Sequence, residues 1–181
     1  MIDYPLKKAF ELFEPGPVLL LTTKQGEKSN AMTLSWHTLI DFTPIIAVVL
    51  SDGDYSFNTL RKTRECVLAI PNAEIIETVV SIGNCSGKEM DKFAELNLTT
   101  TEAECVKPPL IADALYNVEC TVLDVSLANR YGMFVLEGLR AWENEKITDR
   151  RTFHAHGNGI FTLDGKDINL KRLMTKWPQF I

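Results

Sequence analysis

Three stretches carry hydroxyl, amide and amine groups at spacings suited to a polar ligand. The first, SNAMTLSW at residues 29–36, alternates with the two-residue period of a strand. Asn30 enters it. Met32, Leu34 and Trp36 then fall on one side, and Ala31, Thr33, Ser35 and His37 on the other. That second side has hydroxyls and a methyl but no lysine, arginine or carboxylate, which is unusual for a sheet covering only its own core. The second stretch, SDGDYSFNT, offers Ser51, Asp52, Ser56, Asn58 and Thr59, and the third, NCSGKEMDKF, offers Cys85, Ser86, Gly87, Lys88 and Lys92. Each lies at a predicted strand end or helix start, where such groups and helix N-terminal N–H donors suit a phosphate or a polar ring edge. Lys88 and Lys92, four apart, are expected on one helix face. The same residue types also fill ordinary turns and caps. SGK lacks the preceding glycines of a P-loop, which argues against a nucleoside triphosphate.

Elements must position these groups. PLKKAFELFEPGP predicts a helix with Leu6, Phe10 and Phe13 on one face, ended by Pro15, Gly16 and Pro17. VLLLTT is a buried strand, KQGEK a turn at Gly26, and residues 29–36 the returning hairpin partner. Residues 41–44 break the chain before IIAVVL, a β-branched central strand. A short helix follows, with Asp54 or Ser56 as its cap. ECVLAI is a strand, NAEIIETVVSI a helix capped near Asn72, and GNCSGKEMDKFAEL a loop entering a further helix. VECTVLDVSLA and MFVLEGLRAWENE are long strands joined through NRYG, and GIFTLDGKDINL is a short hairpin around Asp164 and Gly165. Hairpins dominate, so the expected fold is mainly β: an antiparallel barrel of about six to eight strands with peripheral helices.

The 181 residues suit one domain over 1–181. Apolar residues make up 45% and charged residues 24%, and the net charge is −5, with no basic run for a nucleic acid. No apolar run approaches the roughly 20 residues of a membrane span. The opening MIDYPLKKAFELF has no signal-peptide core, so a cytoplasmic protein is expected. Cys66, Cys85, Cys105 and Cys120 form no C-x-x-C pair, which fits free thiols in a reducing compartment. His154 and His156 would share a strand face but lack a third ligand nearby, so no metal site is expected. By parity Trp36 belongs with the core residues Met32 and Leu34, stacking on a flat ligand being the alternative. His37 either lines the site or is a hydrogen-bonded histidine at the barrel end. Cys85 packs as a small hydrophobe or, beside a helix start, carries a reactive thiol.

SNAMTLSWHTLIDFTPIIAVVL, FNTLRKTRECVLAIP, GNCSGKEMDKF and PPLIADALYNVECTV, in that order within residues 15–144, resemble the flavoredoxin and flavin-reductase-like proteins. These are FMN-binding split barrels. The resemblance implies a Greek-key, antiparallel split β-barrel, a homodimer, and a non-covalent FMN near the dimer interface. It lays residues 30–36 along the isoalloxazine ring and gives the ribityl phosphate to residues 51–59 and 85–92. Small side chains at Ala31, Thr33 and Ser35 would then let the ring approach the backbone. Flavin reductases of this group commonly carry Gly-Asp-His before the strand MFVLEG, where this chain has Asn129, Arg130, Tyr131 and Gly132. The missing histidine weighs against direct NAD(P)H oxidation and toward a flavoredoxin-type relay of electrons between redox partner proteins. An NAD(P)H-dependent FMN reductase and a non-catalytic flavin-binding dimer are the alternatives.

Overall fold

The computed structural model describes residues 1–176. In chain order its elements are β1 (Ile2–Tyr4), α1 (Phe10–Phe13), β2 (Leu19–Gln25), β3 (Lys28–Leu34), β4 (His37–Asp41), β5 (Ile45–Val49), α2 (Tyr55–Thr63) and β6 (Glu65–Ile70). These are followed by α3 (Ile76–Gly83), α4 (Lys92–Glu95), β7 (Thr100–Thr101), β8 (Leu110–Ile111), β9 (Tyr116–Asp124), α5 (Ala128–Tyr131), β10 (Met133–Glu143), β11 (Phe153–Gly157) and β12 (Ile160–Leu163). One eight-stranded sheet runs β3-β2-β6-β9-β10-β5-β4, with β1 added against β10. Two small ribbons, β7–β8 and β11–β12, lie outside it. Every pairing is antiparallel, as the run of hairpin signals predicts.

β2 explains how the sheet is packed. Its first five residues are all buried, because the sheet is covered on both faces. Leu19 and Leu21 enter the barrel core with Ile46, Leu68 and Phe134. Leu20 points the other way and joins Ala31, Ala69, Val79 and Ile82 under α3. Burying Val79 and Ile82 contributes roughly 1.5–3 kcal/mol each. The uncharged face of the opening strand is therefore occupied. Ala31 is fully buried, and the Thr33 hydroxyl donates to the Val79 carbonyl at 2.5 Å. Small side chains there let a helix, rather than a flat ring, approach the backbone of β3.

Several boundaries differ from expectation. Residues 37–41 form the edge strand β4 just before the expected break, and Trp36 is carried out to solvent at 72% exposure instead of into the core. β3 ends at Leu34, so the alternation that assigned Trp36 to the core stops two residues before it. The first helix is a 3-10 turn at Leu6–Lys8 followed by the single-turn α1. Another 3-10 turn, Ala73–Ile75, leads into α3, and Asn72 makes no cap bond with its side chain, which binds Glu74 and the Asp149 carbonyl instead. The C-terminal hairpin turns at Gly157, Asn158 and Gly159, all at positive φ, not at Asp164–Gly165. Asp164 instead ties the base of that hairpin, accepting from Thr152 N and Oγ1 and contacting His154 Nε2 at 2.7 Å.

Candidate functional site

The N-terminus of α2 is where the sequence's polar groups converge. Asp54 is its N-cap residue, yet its carboxylate accepts from Ser51 N at 2.8 Å, and no side chain caps the helix. The first-turn amides are thus left without a side-chain acceptor, and this end of the helix carries the positive pole of its dipole. Ser56 lies in that turn, fully buried. Its Oγ accepts from Asn30 Nδ2 at 2.9 Å, reaching from β3, and stands 3.5 Å from Thr23 Oγ1. Either hydroxyl of the Ser56–Thr23 pair can be the donor, so Ser56 can give its proton to Thr23 or accept from it.

The segment after α3 forms the opposite wall. Asp91 accepts from Phe93 N and Ala94 N, so α4 starts at Lys92. Lys88 sits before that start, in a turn closed by Glu89 N donating to the Ser86 carbonyl. The two lysines therefore do not share a helix face. Lys88 is exposed, whereas Lys92 is buried and its Nζ donates to the Ile82 carbonyl at 2.8 Å. Burial pushes the Lys92 amine below the ordinary lysine range, an effect opposed by nearby Cys85 and Asp54. Two of its three N–H donors remain. Gly87 closes the wall: a Cβ there would lie 2.2 Å from Asn30 Oδ1, so only glycine lets this loop meet Asn30.

Between these walls is a cleft of about 200 Å³, lined by Asn30, Met32, Thr33, Gly53, Asp54, Tyr55, Ser56, Ile82, Gly83, Cys85, Ser86, Gly87 and Lys92. Eight of the residues singled out from sequence meet here: Asn30, Met32, Thr33, Ser56, Cys85, Ser86, Gly87 and Lys92. The others lie elsewhere. Ala31 is beneath α3. Ser35 and Trp36 are exposed beyond β3, and Ser51 and Asp52 are in an exposed turn. Asn58 is exposed on α2, and the Thr59 hydroxyl is bonded within the helix to the Tyr55 carbonyl. Lys88 lines a neighbouring groove with Lys28, Glu89 and Asp91. Sequence reasoning missed Gly53, Asp54, Tyr55, Ile82 and Gly83 as lining residues. The first three belong to the loop that drew attention, whereas Ile82 and Gly83 look like the end of an apolar helix. His37 is hydrogen-bonded at the barrel end, its Nε2 2.8 Å from the Pro17 carbonyl.

A model of the flavin reductase like domain matches residues 13–159. The chain belongs to the flavin reductase-like family. An uncharacterized protein of Archaeoglobus fulgidus is 31% identical over 150 residues, 82% of this chain and 76% of its own length. Among solved structures, the FMN-binding domain of a flavin reductases-like enzyme from Shewanella baltica superposes with a TM-score of 0.87 at 20% identity, covering 93% of this chain and 96% of that one. Flavoredoxin of Desulfovibrio vulgaris gives 0.77 at 20% identity, covering 85% and 89%. The fold is thus the split barrel of the flavin reductase-like proteins. In this member of the family, residues 129–132 fall on α5 and the glycine after it, and Asn129 Oδ1 accepts from Arg61 Nη1 at 2.9 Å.

Proposed function

We propose that the chain is an FMN-binding flavoprotein of flavoredoxin type, a cytoplasmic homodimer that relays electrons through a non-covalent flavin. The observation that carries the reading is the uncapped start of α2, which bears Ser56 and shares its cleft with Lys92. That donor set fits a phosphate monoester: helix amides, a hydroxyl able to donate, and an ammonium. Asp54 is the one carboxylate on the lining, and it is already engaged by Ser51 N. Ser56, Lys92 and the first-turn amides would hold the phosphate, and Asn30, Met32 and Tyr55 would border the ribityl chain and ring. FMN would supply a carrier able to take up and pass on electrons. Asn129 occupies the region where a reductase would present its histidine, and it is engaged with Arg61, which supports a relay over direct NAD(P)H oxidation. The four free thiols suit a reducing compartment.

The test is a fluorescence-quenching titration with FMN and with riboflavin, which lacks the phosphate. Lys92→Met and Ser56→Ala, checked for folding by circular dichroism, should each weaken FMN about 10-fold or more and riboflavin little, as loss of a charge-assisted contact implies. Equal weakening of both ligands would place the phosphate elsewhere. Failure of the wild-type chain to bind FMN would overturn the reading. Mixing the FMN-loaded protein with NADH or NADPH in a stopped-flow instrument should give no rapid bleaching of the flavin.

A further inference from the structure

Among the residues that line the cleft, Asp54 is the one carboxylate and Lys92 the one lysine or arginine, so the ionic side chains of the lining balance. An aspartate at an N-cap position ordinarily turns its carboxylate onto the first-turn amides, at the positive pole of the helix. Asp54 has the extended backbone of such a residue, with φ −68 and ψ 138, but its side chain makes no cap bond. Its Oδ2 accepts from Ser51 N at 2.8 Å instead, and Asp54 N donates to the Ser51 carbonyl at 3.0 Å. These two bonds close residues 51–54 into a turn. The turn keeps the carboxylate next to the α2 amides without letting it occupy them.

The charge of Asp54 acts in two directions. It stands one residue before α2, where an anion drawn to the helix start would sit. It also reaches across the cleft: burial pushes the Lys92 amine down, and Cys85 and then Asp54 oppose that. A phosphate monoester carries a charge of about −1.5 to −2 near pH 7, so at the α2 amides it meets a like charge on the same lining and a cation that is already shared. The phosphate can take over the support of Lys92, since its charge exceeds that of the carboxylate, but the repulsion from Asp54 remains. We propose that Asp54 keeps FMN exchangeable: its carboxylate opposes the phosphate and not the flavin ring, so the flavin is held as a dissociable ligand rather than as a permanently retained group. The proposal rests on the phosphate site described above and adds the residue that limits its affinity.

Asp54→Asn in the full-length chain tests this, because asparagine Oδ1 can still accept from Ser51 N and only the charge is removed. The variant and the wild type are titrated with FMN and with riboflavin. Asp54→Asn should tighten FMN by about 10-fold and leave riboflavin unchanged, a gain in affinity that a merely structural role could not produce. Release of FMN, read from the fluorescence gained on dilution, should slow accordingly. Asp54→Ser, a second neutral N-cap residue, should move both ligands in the same directions. If neither variant binds FMN more tightly than the wild type does, the proposal is overturned. Equal tightening of riboflavin would also overturn it, by making the effect one of cleft shape rather than of charge. The phosphate site fails on a separate observation, namely Lys92→Met and Ser56→Ala weakening both flavins alike. Selective losses in those two variants, with no gain in Asp54→Asn or Asp54→Ser, would remove the role of Asp54 and leave the phosphate site standing.

Discussion

Glu119 is a fully buried carboxylate that does not line the candidate cleft. It is held by four donors: Glu104 N at 3.2 Å, Cys105 N at 2.5 Å, Val106 N at 3.1 Å and Trp142 Nε1 at 2.7 Å. A carboxylate accepts on both oxygens, whereas a glutamine must turn an NH₂ group toward one pair of these donors. Glu119→Gln is therefore expected to destabilise the protein by about 2–4 kcal/mol, read from the midpoint of urea unfolding with FMN absent. A loss under 0.5 kcal/mol would show that the donors find water instead. In the sequence Glu119 was one polar residue inside a strand, and its role was not legible because three of its four partners are backbone N–H groups, which every residue but proline carries. Ser56, Asn30 and Lys92 were legible because their chemistry resides in the side chain. Trp36 was assigned to the wrong side, since parity holds only while the strand continues, and β3 stops at Leu34.

At the level of the element, α5 and the glycine after it show how much can depend on one turn. Gly132 has φ +67, and a Cβ there would sit 2.1 Å from the Leu50 carbonyl oxygen. The two segments are also joined by Leu50 N donating to the Gly132 carbonyl at 2.9 Å. Gly132→Ala combines left-handed backbone strain with a clash against main chain, and it should cost about 2–4 kcal/mol. Gly26→Ala is the control: φ is +60 but nothing lies within 4 Å, so only the backbone penalty of about 1–2 kcal/mol is expected. Equal losses in thermal or urea unfolding would mean that the carbonyl of Leu50 yields. β5, β6, β9 and β10 were legible as strands because each is apolar over most of its length, β2 because of its leading apolar run, and β3 because of its two-residue alternation. The edge strand β4 was not, since HTLID has little alternation to detect, and the C-terminal hairpin was misplaced because Asp-Gly is a strong turn signal that here lies beyond β12.

The whole molecule should respond to acid in two separate ranges. Burial pushes the His37 imidazole below its ordinary value, although the bond to Pro17 partly opposes this. The unfolded chain then binds a proton more readily than the folded one. The stabilisation is fully present above the unfolded value of about 6.5 and is lost as pH falls from there through the folded value. Asp3, held down mainly by Arg140, and Asp149, held at about 2 mainly by Arg151, matter only below the ordinary carboxylate range. Urea midpoints should therefore drop between pH 7.5 and 5.5 in the wild type and less so in His37→Gln; parallel slopes would remove His37 as the cause. The pairing of β1 with β10 bears on how the molecule is made. Ile2 lies opposite Glu143, so β1 finds its strand partner only after a further 141 residues have been translated (143 − 2 = 141). At ordinary synthesis rates that wait is on the order of ten seconds. The sheet's middle strands, β9 and β10, are also late, leaving the nascent β2–β3 hairpin and β6 with unpaired edges in the meantime. Closure of the barrel thus waits for β10, and until then the nascent chain is open to holdase chaperones.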